Sequence, residues 1–218
     1  MIARLPAYVA TLACATIVLS ACAGPSGGSA GESSAVSGVN VEVLRQVHFD
    51  FEPASTPEEL VEEGGSEAIV RGRLLTVVQG GSIAESDEDD APEQYVILEV
   101  EVEETYQDHG GAVGDGPVYV TLHQGPWMGD DLEYSIEHWN RALPAGTEMI
   151  LYLISSERGM VRGAHGIPDD ALGFTPLPQG MVIQDDGDVI GGLVDLESGW
   201  EALTWAELES QVEAASSG

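Results

Sequence analysis

Apolar and polar positions change period several times along this chain, and the changes mark its elements. From Gln94 to Tyr106 the residues alternate. Val96, Leu98, Val100 and Val102 fall on one face, and Ile97, Glu99, Glu101 and Glu103 fall on the other. A period of two with one mostly acidic face predicts a strand that rests one side on a core. Glu67 to Val78 is rich in β-branched residues and predicts a second strand, with Gly72 inside it marking a bulge or bend. Val118 to Leu122 predicts a third. Glu148 to Ile154 is almost continuously apolar and predicts a strand buried on both faces. Met181 to Gln184 and Asp188 to Ile190 flank Asp185-Asp186-Gly187, which has the chemistry of a hairpin turn.

Helix signals punctuate these runs. Ser55-Thr56-Pro57-Glu58-Glu59-Leu60 offers a hydroxyl cap, a proline in the first turn and two early acids, and Gly64-Gly65 stops the helix. Gln124 to Trp127 breaks the third strand, and Asp130 to Arg141 predicts a short helical insert. Leu143-Pro144-Ala145-Gly146-Thr147 is a turn into the next strand. Thr204 and Glu207 form a capping box that starts a final helix, with Trp205, Leu208 and Val212 on one face. Gly80 to Pro92 and His109 to Gly116 predict exposed loops. The fold expected is mainly β with short helices (α+β). More narrowly, it is an OB-like five-stranded barrel with a terminal β-hairpin and a C-terminal helix, because a helical insert falls between the third and fourth strands.

Ala68-Ile69-Val70-Arg71-Gly72-Arg73-Leu74, together with Leu143-Pro144-Ala145-Gly146-Thr147 through Leu151-Tyr152-Leu153, resembles a recurrent layout of uncharacterised exported bacterial domains. That resemblance covers roughly half of the chain. It implies a fold and carries over no catalytic residue.

The amino terminus carries an address. Met1 to Pro6 holds one charge, Arg4, and Ala7 to Leu19 is a short apolar run. A bilayer span needs about 20 apolar residues, so the layout is that of an export signal. The run ends Leu19-Ser20-Ala21-Cys22, which resembles the bacterial lipobox. The resemblance implies diacylglycerol on the Cys22 thiol and cleavage before it, and each buried CH₂ of such an anchor contributes about 0.8 kcal/mol. Ala23 to Val36, rich in Gly, Ser and Ala, predicts a flexible tether. The expected organisation is 1–21 signal peptide, 22–40 lipidated cysteine and linker, and 41–218 a single β-rich extracytoplasmic domain. Cleavage would remove Cys14 and leave no partner for an internal disulfide. The chain would then be lipid-anchored on the outer face of the cell membrane.

Composition narrows the partners. The formal net charge is −31, and all seven basic residues are arginine. Such a field disfavours nucleic acid and anionic head groups and favours cations or basic partners. It also serves plain solvation. The Ala, Gly, Asp and Glu excess without lysine resembles proteins of high-GC actinobacteria.

Candidate chemistry is sparse. Asp186, Asp188, Gly191 and Glu197 match four positions of an EF-hand loop and suggest Ca²⁺, but Ile190 stands where a ligand is needed and no helix precedes the loop. Asp-Gly hairpin chemistry explains the same residues. Asp87 to Asp90 reads as a solvated loop. His48, His109, His123, His138 and His165 form no zinc motif, although His123 alternates with Thr121 and Tyr119 on a strand. There is no Gly-x-Ser-x-Gly elbow, and a phosphate loop needs a lysine the chain lacks. Trp127 and Trp139 share the insert with His138 and Arg141 and are the surface candidates for contact with a partner, against the core placement that large apolar side chains more often take. The readings that stand are a non-enzymatic module binding a protein, peptide or wall component, a hydrolase whose His123, His138 and carboxylates meet only in the fold, and a Ca²⁺-binding surface protein.

Overall fold

The computed structural model describes residues 38–83, 93–125, 127–128, 131–132, 134–156, 161, 164, 166–196 and 198–217. The expected export signal, Cys22, the expected linker as far as residue 37, Asp87 to Asp90, His165 and Glu197 lie outside the described residues.

The described chain is mainly β with short helices. Its strands are β1 (Ala68–Ile83), β2 (Glu93–Asp108), β3 (Val118–His123), β4 (Glu148–Ser155), β5 (Gly173–Asp185) and β6 (Asp188–Gly191). The helices are α1 (Pro57–Glu63), α2 (Ile136–Ala142), α3 (Ser198–Glu201) and α4 (Trp205–Ser216). A two-residue ladder joins Trp127–Met128 to Asp131–Leu132. The six strands form one sheet in the order β3-β2-β1-β4-β5-β6, and β5 also pairs with β3. The sheet therefore returns on itself. All its ladders are antiparallel except this closing one, which is parallel and short, Tyr119 to Gly173 and Val120 to Phe174.

Alternation explains the core. Val96, Leu98 and Val100 of β2, Val118, Val120 and Leu122 of β3, and Met149, Leu151 and Leu153 of β4 share one interior cluster. Their neighbours Ile150 and Tyr152 face outward into a second cluster, with Ile69, Val182, Leu60, Trp200, Trp205, Leu208 and Val212. Helices α1 and α4 pack together over that outer face. The continuous apolarity of β4 follows from this, because both of its faces are covered. Register shifts at Arg71/Gly72 and Leu74/Thr76 interrupt β1. The second leaves Leu75 without a partner on β2 and 43% exposed. It also moves the inward positions from Leu74 to Val77, so the bulge resets which residues reach the core.

The helix ends behave as their sequences predict. Thr56 Oγ1 accepts the Glu59 N–H at 3.2 Å, and the Glu59 carboxylate accepts the Ser55 N–H at 2.6 Å. Thr204 and Glu207 complete a reciprocal capping box, and the hydrogen bonds from Thr204 hold the Glu207 carboxyl below its ordinary range. Helix α2, capped by Ser135, brings Trp139, Ala142 and Leu143 into the interior cluster. Asn140 ties it to β1: its amide donates to Val77 O at 2.7 Å, and its carbonyl accepts the Val77 N–H at 3.0 Å.

Candidate binding site

Residues 39–55 run across the sheet as a strap. Val39 N–H donates to Asp185 Oδ1 at 3.2 Å, and Asn40 N–H donates to Ala142 O at 2.9 Å. A 3-10 turn, Val41–Leu44, buries Val43 and Leu44. Arg45 then donates to Gly191 O at 3.0 Å and pairs with Asp195 at 2.6 Å. The far end is held by Gln179, itself buried. Its carbonyl accepts the Ala54 N–H at 2.8 Å, and its amide donates to Ala54 O at 3.0 Å. Trp200 Nε1 donates to the same oxygen at 3.1 Å. Residues 47–53 between these clamps make no described hydrogen bond.

The free middle of the strap has its own pattern. Val47, Phe49 and Phe51 alternate with His48, Asp50 and Glu52. Phe49 and Phe51 meet edge to face with ring centroids 6.5 Å apart. Val47 is 42% exposed and Phe51 37%, whereas most large apolar side chains of the described chain are buried.

A hollow lies on each side of this aromatic pair. The first, of about 170 Å³, opens where the ring closes: β3 and β5 pair only at residues 119–120 and 173–174, then separate. Leu44, Val47, Phe49, Leu122, Pro176 and Leu193 give it an apolar lining, with Thr121, Thr175, Tyr95 and His123 as polar members. Thr121 Oγ1 donates to Phe174 O at 3.0 Å and lies 3.2 Å from Thr175 Oγ1. His123 Nδ1 accepts the Gly125 N–H at 3.1 Å, which in the neutral ring assigns the proton to Nε2. The Tyr95 ring stands edge-on to the imidazole, 6.0 Å away.

The second hollow is a groove of about 420 Å³ between the strap, α1 and β5. Phe51, Pro53, Leu60, Leu177 and Pro178 supply its apolar wall, and Glu52, Glu59 and Glu63 are the charged groups that line it. Its β5 wall exists because the ladder with β4 jumps from Leu151–Met181 to Leu153–Pro176, so Leu177 to Gly180 have no partner in that ladder, and Leu177, Pro178 and Gln179 line the groove. Gly64 fits here as a glycine, since a Cβ would meet Leu60 O and stand 2.9 Å from Leu177 Cδ1.

The residues singled out in the sequence fall as follows. Trp139 is fully buried, and its Nε1 donates to Gln124 O at 3.4 Å. This removes Trp139 as a candidate for partner contact and agrees with the core placement: the indole lies in the interior cluster. Trp127 pairs through its backbone with Leu132, and its side chain lies outside the described residues. His123 enters the seam hollow, whereas His138 on α2 stacks on Tyr134 at 4.8 Å. The two histidines share no described hydrogen bond or ring contact. Asp186 forms the hairpin turn with φ of 50° beside Gly187 at 96°, and Asp188 pairs with Asp185. A strand precedes that loop, and the carbonyls of Gly191 and Gly192 face the Arg45 guanidinium. Among the described residues no group of three or more His, Cys, Asp or Glu is placed to hold a metal ion, and no helix is long and apolar enough to cross a membrane.

Burial raises the phenol pKa of Tyr152 above its ordinary value. At Tyr106 burial and then the Glu104 charge act in the same direction. Both hydroxyls lie outside the strap hollows and have no described hydrogen-bond partner. Sequence reasoning missed the strap, Gln179 and the seam. The alternation of Val47, Phe49 and Phe51 was a readable signal, but turn residues do not bracket it as they bracket a strand.

Replacing Gln179 by alanine is expected to release the strap. Two backbone groups of Ala54 lose their partner, which costs about 1–2 kcal/mol because water reaches part of the site. Amide exchange at Ala54 should accelerate while exchange within β2 stays unchanged. Equal acceleration at both places would show that the clamp is part of the global fold.

No family model, curated protein or solved structure matches this chain.

Proposed function

We propose that this chain is an extracytoplasmic lipoprotein, held on the outer face of the cell membrane by acyl chains on Cys22. Its folded region is a non-enzymatic binding module, and the strap face is where it binds. The lipobox-like Leu19-Ser20-Ala21-Cys22 and the Gly/Ser/Ala tether support the anchor. The observation that carries the binding reading is the strap: hydrogen-bonded at both ends, with Phe49 packed on the core and Val47 and Phe51 exposed between two hollows. Exposed aromatic and aliphatic side chains around concave surface are the usual makings of a recognition site.

The finer architecture belongs to the same proposal. A five-stranded OB-like barrel is supported by the ring order β1-β2-β3-β5-β4, by the parallel β3–β5 contact and by α2 between the third and fourth strands of the ring. The bound partner is expected to be protein, peptide or wall material. The charge of −31 argues against nucleic acid.

Mass spectrometry of the native protein tests the anchor. The expected amino terminus is residue 22 carrying a diacylglyceryl group, with the protein in the membrane fraction. The Cys22→Ser variant is expected to leave that fraction or to accumulate uncleaved. An unmodified thiol at position 22 in the native protein would refute the assignment.

A further inference from the structure

The two hollows share the strap as a wall, and Phe49 lining one stands two residues from Phe51 lining the other. Their chemistry differs. The seam hollow is apolar with a small polar edge, and the groove has an apolar wall beneath carboxylates. From this we infer that the strap face takes an extended peptide segment with an aliphatic side chain in the seam hollow and an arginine or lysine in the groove. This rests on the binding-module reading above and names the class of its partner.

Charge decides the second half. The groove is lined by Glu52, Glu59 and Glu63 and by no basic residue. The described arginines are engaged elsewhere: Arg45 with Asp195, Arg71 with Glu209, Arg73 with Glu103, and Arg141 with Glu137. Glu59 is tied to Ser55 N–H, which leaves Glu52 and Glu63 without a described partner at the rim. Glu63 also sits in the last turn of α1, where no basic residue offsets the partial negative charge of the helix end. A guanidinium there would meet carboxylate, helix terminus and the exposed ring of Phe51 together, and its aliphatic stem would cover Leu60 and Leu177.

Geometry decides the spacing. An extended chain advances about 3.3 Å per residue, and the Phe49–Phe51 ridge between the hollows is 6.5 Å from ring to ring. Side chains that drop on either side of that ridge belong about two to four residues apart. An extended segment also suits a seam where β3 and β5 have ceased to pair, because their backbones separate there.

The test uses the full lipidated chain in detergent micelles and blocked nine-residue peptides of serine and glycine. One probe carries a leucine and, three residues later, an arginine. A second has glutamine in place of that arginine. The arginine peptide is expected to bind and to shift the amide resonances of residues 47–53. The glutamine peptide should bind about tenfold more weakly, as should the arginine peptide to Glu52→Gln/Glu63→Gln, the scale of a lost charge-assisted contact. The exposed pair Glu101→Gln/Asp170→Asn removes the same charge elsewhere and is expected to leave affinity within about twofold. Equal weakening by both double variants would overturn the inference, because only the overall field would be at work. If the two peptides bind the strap equally well, the basic-partner class falls while the strap survives as a binding face. Absence of binding, or shifts confined to other residues, would overturn the peptide assignment and leave the Cys22 anchor to its own measurement.

Discussion

Trp139→Ala is expected to lower folding stability by about 3–5 kcal/mol, the range for removing a large buried aromatic side chain. The indole is fully buried in the interior cluster with Val77, Val96, Leu122 and Leu143 around the same core. Helix α2 has only seven residues, too few to persist by propensity alone, so its place depends on this contact and on Asn140. The loss spreads further through Gln124, a buried residue whose carbonyl oxygen accepts from Trp139. Gln124 also accepts from Gln79 Nε2 at 2.7 Å and donates to Tyr134 O at 3.1 Å. Urea unfolding followed by circular dichroism measures the change without relying on the deleted fluorophore. A loss under about 1 kcal/mol would mean that the insert is peripheral and the ring stands without its plug.

The second large effect is expected at Gly72. In the middle of β1 it sits at a register shift against β2, paired with Val102 on one side and with Met149 of β4 on the other. A Cβ there would meet the Glu101 carbonyl and stand 2.8 Å from Val100 Cγ1. Neither obstacle is the loose end of a long side chain, so the backbone must move and the ladders on both sides of β1 move with it. Gly72→Ala is expected to cost about 1–3 kcal/mol, the range for an overpacked core, although alanine is otherwise the better residue for a chain interior. Gly65→Ala gives a useful contrast. Nothing lies near its Cβ position, and its penalty comes only from a φ of 68°. If Gly72→Ala were as stable as the native chain, the bulge would be soft and its glycine incidental. Thermal unfolding of the two variants side by side decides this.

Much of the fold was legible because local rules and the tertiary solution agree. The alternation of Val96, Leu98 and Val100 gave β2, and the caps at Thr56 and Thr204 gave α1 and α4. Asp186-Gly187 gave the turn between β5 and β6, and Gly72 marked the irregularity of β1. The first half of β5 was not legible. Gly173 to Gln179 contains Pro176 and Pro178, which argue against a strand. Proline is tolerated there because this stretch borders the opening seam and then leaves the ladder, so the missing N–H groups are not needed for pairing. That stretch closes the ring, and with it goes the seam hollow. Leu75 shows a related effect: it is an apolar residue within a strand, and the bulge turns it outward.

The candidate site was less legible than the fold. His123 could be named from its alternation with Thr121, since both lie on one short strand. Its neighbours Val47, Phe49, Pro176 and Leu193 come from distant parts of the chain, and no spacing rule joins them. For Trp139 both the core and a partner contact stood open, because a short polar insert gives no sign of which residue points inward until the rest of the core is known.

By itself the amino-acid sequence determined the net charge and the features that depend on neighbours within a few residues: the period of each strand, the caps of α1 and α4, and the Asp-Gly turn. Only the tertiary structure decided that β5 returns to β3, that helices cover the outer face of β4, and that the strap lies between two hollows. Those outcomes are settled by burial between segments far apart in the chain. The free energy of such contacts belongs to the pair, and neither segment carries it alone.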